Sequence, residues 1–286
     1  MGSRMRKIYA ATLLVLCQLF VGAYADEPLR LAPLPLENRE AVALQFDPMV
    51  QHLARELGRP VELIWSGYHD EVLNAFIDGD IDIAFLGPLP YLHLRQRHSA
   101  VTPIIRFVGS DGQSMYRCAL VRFGDDIPPV EHPHKLRVGL TQPLSTCGFL
   151  GTDSILRSQY PFSLEQTRYR YLGSHEEVAL AVIAGEAELG GVKDEFADKF
   201  ANLGLEVAGW SERVPGVALF ANRNTLDEAT IAAIRQVLLA TPEMIYQHWG
   251  STIRHGMIDA QESDFDALHE FGDINAIPLL RDEHDG

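Results

Sequence analysis

A stretch in the first third of the chain returns, without gaps, in the second third. His69 to Gly87 reads HDEVLNAFIDGDIDIAFLG, and His175 to Lys193 reads HEEVALAVIAGEAELGGVK. Each copy opens with His-acid-Glu-Val, carries apolar residues at helical spacing, turns on Ile-x-Gly-acid and enters a short apolar strand. Two copies about a hundred residues apart are too widely spaced for a solenoid. They predict two similar α/β lobes in one chain, with a cleft between them.

The flanking patterns agree. Residues 29–36 read as a strand, and 39–57 as a helix capped by Asn38 and closed by Gly58, with Pro60 just beyond. Strands at 61–66, 81–86 and 102–108, with helices at 69–77 and 90–97, complete a first alternating series. The series restarts with strands at 136–141, 169–172 and 187–192, a helix opening near Cys147 and another over 176–184. Ser174 and Glu177 have capping-box spacing, as do Thr225 and Glu228 before a helix reaching Leu239. Strands at 116–122 and 217–221 are expected to cross between lobes, and a polar helical tail from about Pro242 to wrap the first lobe. The expected fold is α/β and two-lobed, each lobe a mostly parallel sheet flanked by helices, joined by a two-strand hinge. Residues 26–115 and 217–286 form the first lobe, and 116–216 the second.

Arg4, Arg6 and Lys7 precede an apolar run that ends in Ala23-Tyr24-Ala25, the pattern of a cleavable export signal over residues 1–25. The run is too short to span a membrane, so the mature chain is expected in the periplasm. The net charge of −15 becomes more negative once those three cations are removed. Such a chain does not bind nucleic acid through a diffuse basic surface. An anionic ligand would need local N–H groups and dipoles. Cys118 and Cys147 remain after cleavage; an even pair in an oxidising compartment favours a disulfide, with free thiols as the alternative.

Ligands of open α/β sheets gather beyond the carboxyl ends of the strands. Those ends offer Glu37, Gly67-Tyr68 and Gly87 in one lobe, and Ser145-Thr146-Cys147-Gly148, Ser174-His175 and Lys193-Asp194-Glu195 in the other. Ser145 as N-cap would leave the amides of Thr146 to Gly148 open to a small oxyanion at a positive helix end. His175 would donate an N–H from the first turn of its helix. Tyr68 would donate its phenol, and His69, beside it, carries no expected role. A nucleophile at 145–147 with His175 as base is the enzymatic alternative. However, no G-x-S-x-G elbow and no nucleotide-type glycine loop supports it. His132-Pro133-His134 lies in a Pro-rich loop without a second ligand pair. No metal or cofactor is expected.

These residues resemble the periplasmic binding proteins of phosphate, phosphite and phosphonate uptake, a family with the two-lobed type II fold. The resemblance spans roughly 28–270 and rests on 82–89 (DIAFLGPL), 145–150 (STCGFL), 173–176 (GSHE) and 214–216 (VPG). It implies an oxyanion held by Ser145, Thr146, Cys147, Gly148, Tyr68 and His175, with Glu195 placed for a ligand amine. It also implies a monomer that serves the membrane permease of an ABC importer. Three departures stand out: Cys147 in place of a hydroxyl, Leu86 in place of a second Tyr, and Val217 in place of an Asp that helps hold a ligand amine. Cys118 likewise stands where Ser is common, and the two exchanges together suggest a disulfide beside the hinge. A related branch senses arsenite through cysteine and partners a sensor histidine kinase, which is the alternative reading.

Overall fold

The computed structural model describes residues 27–34, 39–125, 131–271 and 277. The expected export signal, Asn38 and Glu37 lie outside them.

The first lobe starts with β1 (Leu29–Pro33), α1 (Arg39–Leu57), β2 (Val61–Leu63), α2 (His69–Ile77), β3 (Ile83–Leu86), α3 (Pro88–Arg97) and β4 (Val101–Phe107). The chain crosses into β5 (Met115–Phe123) and continues through β6 (Arg137–Leu140), α4 (Phe149–Gln159), β7 (Arg168–Tyr171) and α5 (His175–Ile183). There follow β8 (Leu189–Lys193), α6 (Asp194–Phe200) and β9 (Leu205–Pro215). It then returns as β10 (Ala218–Asn222), α7 (Glu228–Ala240), α8 (Glu243–Tyr246) and β11 (Met257–Asp259), and ends in a 3-10 segment, Glu262–Phe271.

The two sheets are built alike. One has the order β11-β4-β10-β3-β1-β2 and the other β7-β6-β8-β5-β9. In each, three strands pair in parallel: β2-β1-β3 and β7-β6-β8. The next strand in each is antiparallel and follows a crossing between the lobes: β10 beside β3, and β5 beside β8. The sheets are therefore mixed, with more antiparallel pairing than the βαβ pattern suggested, because each lobe receives a strand from the hinge.

Burial explains the fully apolar strands. All four residues of β3 are buried, since α-helical and 3-10 segments cover the sheet on both faces. Phe46 and Phe107 pack on Phe85, while Phe220 and Phe265 pack on Tyr91 beside the other face. At the hinge, Met115 pairs with Pro215 and Tyr116 with Val214. Gly216 N–H donates to Ser114 O at 2.8 Å, and a Cβ at Gly216 would come within 3.0 Å of both Phe107 O and Ser114 O. A larger residue here would have to push the two crossings apart by a few tenths of an ångström.

Three expectations differ from what is found. The helix after the 225–228 segment is capped by Asp227, whose carboxylate accepts from Thr230 N–H at 2.8 Å, not by Thr225. The anionic cap is closer to the first turn and suits the helix dipole better. β9 and β11, unannounced by any clear period, extend the two sheets. The tail does more than wrap one lobe: its 3-10 segment packs against α3 of the first lobe and against β9 and α4 of the second.

Candidate functional site

A cavity of about 370 Å³ opens between the lobes at the carboxyl ends of β3, β6 and β8. Of the residues expected there, Gly87, Ser145, Thr146, Cys147, His175 and Glu195 line it. Tyr68 does not line it. Its side chain is 66% exposed, because it serves as the extended residue before α2 and turns outward. Gly148 is also absent from the wall.

Two disulfide-bonded cysteines shape the turn that carries Ser145 and Thr146. Cys118 on β5 is bonded to Cys147, with Cα atoms 5.1 Å apart. Glycines make room: a Cβ at Gly151 would lie 2.9 Å from Cys118 Sγ, and one at Gly191 would lie 2.5 Å from Cys147 O. Thr152 Oγ1 donates to Cys147 O at 3.2 Å. The expected N-cap role of Ser145 does not hold. Gly148 N–H donates to Ser145 O at 2.9 Å in a turn, and α4 begins only at Phe149 with Gly148 before it. Tethering Cys147 to β5 holds this turn against the sheet and delays the helix. The amide of Gly148 is thus spent inside the turn.

Thr146 is buried, and its hydroxyl accepts from Leu89 N–H at 3.2 Å, a bond that joins the lobes. It also shares a hydrogen bond with the Tyr116 hydroxyl. Burial pushes the Tyr116 phenol well above its usual range, so it stays protonated.

His175 is the most precisely oriented group. Ser174 Oγ accepts from Glu177 N–H at 3.1 Å, and the Glu177 carboxylate accepts from Ser174 N–H at 2.9 Å, the expected capping box. This cap starts α5 at His175. Lys193 N–H donates to His175 Nδ1 at 3.2 Å, and the ring stacks on Phe196 at 4.9 Å. With Nδ1 accepting, the neutral ring carries its proton on Nε2. Burial, then the charge of Lys193 and the proximity of His69, lower its pKa to about 3. His175 is therefore a neutral donor.

Sequence reasoning passed over several wall residues: His69, Tyr116 and, from distant segments, Gln45, Ser251 and Thr252. The sequence marks Tyr116 only as part of a crossing strand. Its clue was the crossing itself, which must pass between the half-sites. Lys193 Nζ sits 3.1 Å from Glu195 Oε1 and 5.3 Å from the centre of the Tyr116 ring. Glu195 is thus already paired with a cation. Apolar side chains, among them Leu34, Phe85, Pro90 and Val217, complete the wall.

Comparison with known proteins fits this geometry. The family model described as ABC transporter, phosphonate, periplasmic substrate-binding protein matches residues 31–265. The phosphate-import protein PhnD of Mycolicibacterium smegmatis is 26% identical over 184 residues, which cover 60% of this chain and 57% of that protein. The match thus spans little more than half the length of that curated relative. PhnD1 of Prochlorococcus marinus, solved in complex with methylphosphonate, superposes with a TM-score of 0.71 at 16% identity, covering 85% of this chain and 96% of that one. A binding protein component of an ABC phosphonate transporter from Pseudomonas aeruginosa gives 0.70 at 17% identity, covering 86% of each chain. At these identities the two structures speak for the shared two-lobed fold.

Proposed function

Since the chain belongs to the family of periplasmic substrate-binding proteins of ABC phosphonate transporters, we propose that its cavity captures a small oxyanion of phosphorus for delivery to a membrane permease. One observation carries the reading. The Ser145–Cys147 turn, the Nε2–H of His175 and the hydroxyl of Tyr116 converge on one cavity between lobes. Hydrogen bonds to a charged group contribute about 1.5–3 kcal/mol each, so a few such donors suffice for tight capture beside the wall ammonium groups of Lys193 and Lys199, which are paired with Glu195 and Glu176.

The pairing of Lys193 with Glu195 favours phosphate, phosphite or a simple alkylphosphonate over an aminoalkyl one. A ligand amine entering here would compete with Lys193 for the same carboxylate, and Val217 offers it no acceptor. With Cys118 and Cys147 joined, arsenite finds no thiolate at the cavity, and the kinase-linked sensing alternative loses its chemistry. We further propose export through residues 1–25, a monomeric mature chain, and binding without turnover.

Calorimetry on the chain lacking residues 1–25 tests this, with phosphate, phosphite, methylphosphonate, aminoethylphosphonate, sulfate and arsenite as titrants. A phosphorus oxyanion should bind and be recovered unchanged, and Thr146→Val should weaken it about tenfold or more. Binding of sulfate or arsenite alone would overturn the ligand class. Turnover of a phosphoester lost in His175→Ala would overturn the reading as a binding protein.

A further inference from the structure

His69 occupies in α2 the place that His175 occupies in α5, the first residue of the repeat and of its helix. Its side chain is only 5% exposed, and neither ring nitrogen has a hydrogen-bond partner. Buried polar atoms are almost always paired, and leaving both nitrogens of an imidazole unpaired costs free energy. The ring nevertheless lines the cavity, within electrostatic reach of His175. Tyr68, before it, gives α2 no side-chain cap, so the first turn of that helix also ends uncapped beside the cavity. An unpaired donor, a helix N-terminus and a cavity wall meet at one residue.

We propose that His69 is the first lobe's ligand for the anion, set opposite His175 so that two imidazoles grip one tetrahedral oxyanion between the lobes. The inference rests on the cavity being the ligand site. At neutral pH both rings are uncharged, as burial lowers the pKa of His69 to about 4. Each then donates one N–H, and the tautomer of His69, free of any partner, adjusts to the oxyanion. His175 is held in place; His69 completes the grip. The class of ligand follows: an anion with at least two unprotonated oxygens on different sides of its centre, as inorganic phosphate and methylphosphonate have.

The test uses the full mature chain with inorganic phosphate, phosphite and methylphosphonate as probes. His69→Gln and His175→Gln should each weaken the best-bound probe at least tenfold. His69→Leu should abolish binding yet leave the ligand-free melting temperature unchanged or higher, because it removes two unpaired nitrogens. A residue needed only for packing would show the opposite pattern, with lower melting temperature and retained affinity. If His69→Gln and His69→Leu bind within twofold of wild type while His175→Gln fails, the inference on His69 falls and the cavity reading stands. If a probe binds wild type and all three variants equally, or if none binds wild type at millimolar concentration, the cavity reading falls and takes the inference with it.

Discussion

The two copies of the repeat are the same device built twice, and they differ where function would need them to. In each, the strand lying parallel beside the repeat's own strand, β1 beside β3 and β6 beside β8, carries an Arg that clamps the acid just before that strand. Arg30 N–H and guanidinium bind Asp82, and Arg137 N–H and guanidinium bind Glu188. In each, the glycine after the helix has positive φ, 82° at Gly79 and 71° at Gly185, and closes the turn into the strand. The likeness therefore reaches back to β1 and β6 and makes a β-α-β-α-β unit, longer than the matching letters. The first copy keeps Asp82 buried and its helix uncapped, with His69 unpaired; the second keeps Glu188 half-exposed, its helix boxed by Ser174 and Glu177, and His175 anchored to Lys193 N–H. Similar backbones thus hold one preset imidazole and one adaptable one.

The sharpest way to break this symmetry is at the clamps. In Asp82 burial alone would raise the carboxyl pKa, but the bonds from Arg30 hold it below the usual range. Asp82→Ala leaves Arg30 without its partner and should cost about 3 kcal/mol in urea unfolding. Glu188→Ala, at the exposed clamp, should cost about 1 kcal/mol or less. Equal losses would mean that the lobes do not differ in burial as described. The disulfide belongs to the second lobe alone. Reduction should lower its stability by about 2–4 kcal/mol, and thiol titration of unfolded, unreduced chain lacking residues 1–25 should find no free thiol.

Acid tests the buried imidazole of each copy next, and His175, its pKa lowered further to about 3, should lose as much as His69. His69 is neutral in the fold, while the unfolded chain binds its proton below the ordinary pKa of 6.5. Its contribution to stability is thus intact above pH 6.5 and is lost as pH falls towards 4. At pH 5 the loss is about 2 kcal/mol, and His69→Leu should flatten the pH–stability curve by that amount. The smallest effects concern the caps. Ser174→Ala should destabilise by about 1 kcal/mol, and Tyr68→Ser, which gives α2 the cap it lacks, should stabilise by up to about 1 kcal/mol. If Tyr68→Ser instead weakens anion binding, the outward placement of Tyr68 is wrong.

The elements fixed by local chemistry were legible from the sequence. α2 spans the expected 69–77, the box at Ser174 and Glu177 forms as read, and Cys118 and Cys147 are joined. What escaped was set by tertiary contact. β9 follows an irregular burial pattern and is bulged against β5, so no strict alternation marks it. β11 is three residues long and owes its form to pairing with β4. Ser145 looked like an N-cap because nothing local revealed that the disulfide holds the following turn. In the sequence Tyr68 is the better placed of the two neighbours, directly after the strand end, and only the helix phase decides that His69 points inward.

The bond from Leu89 N–H to Thr146 Oγ1 has a consequence in time rather than in affinity. It lies across the boundary between the lobes beside the cavity, so an exchange that requires the lobes to part has to wait for that latch to open. Arrival should then be set by a gate. In stopped-flow mixing, the observed rate would climb with anion concentration and level off at the opening rate instead of rising without limit. Thr146→Val would lift that plateau even as it shortens the dwell of each captured anion.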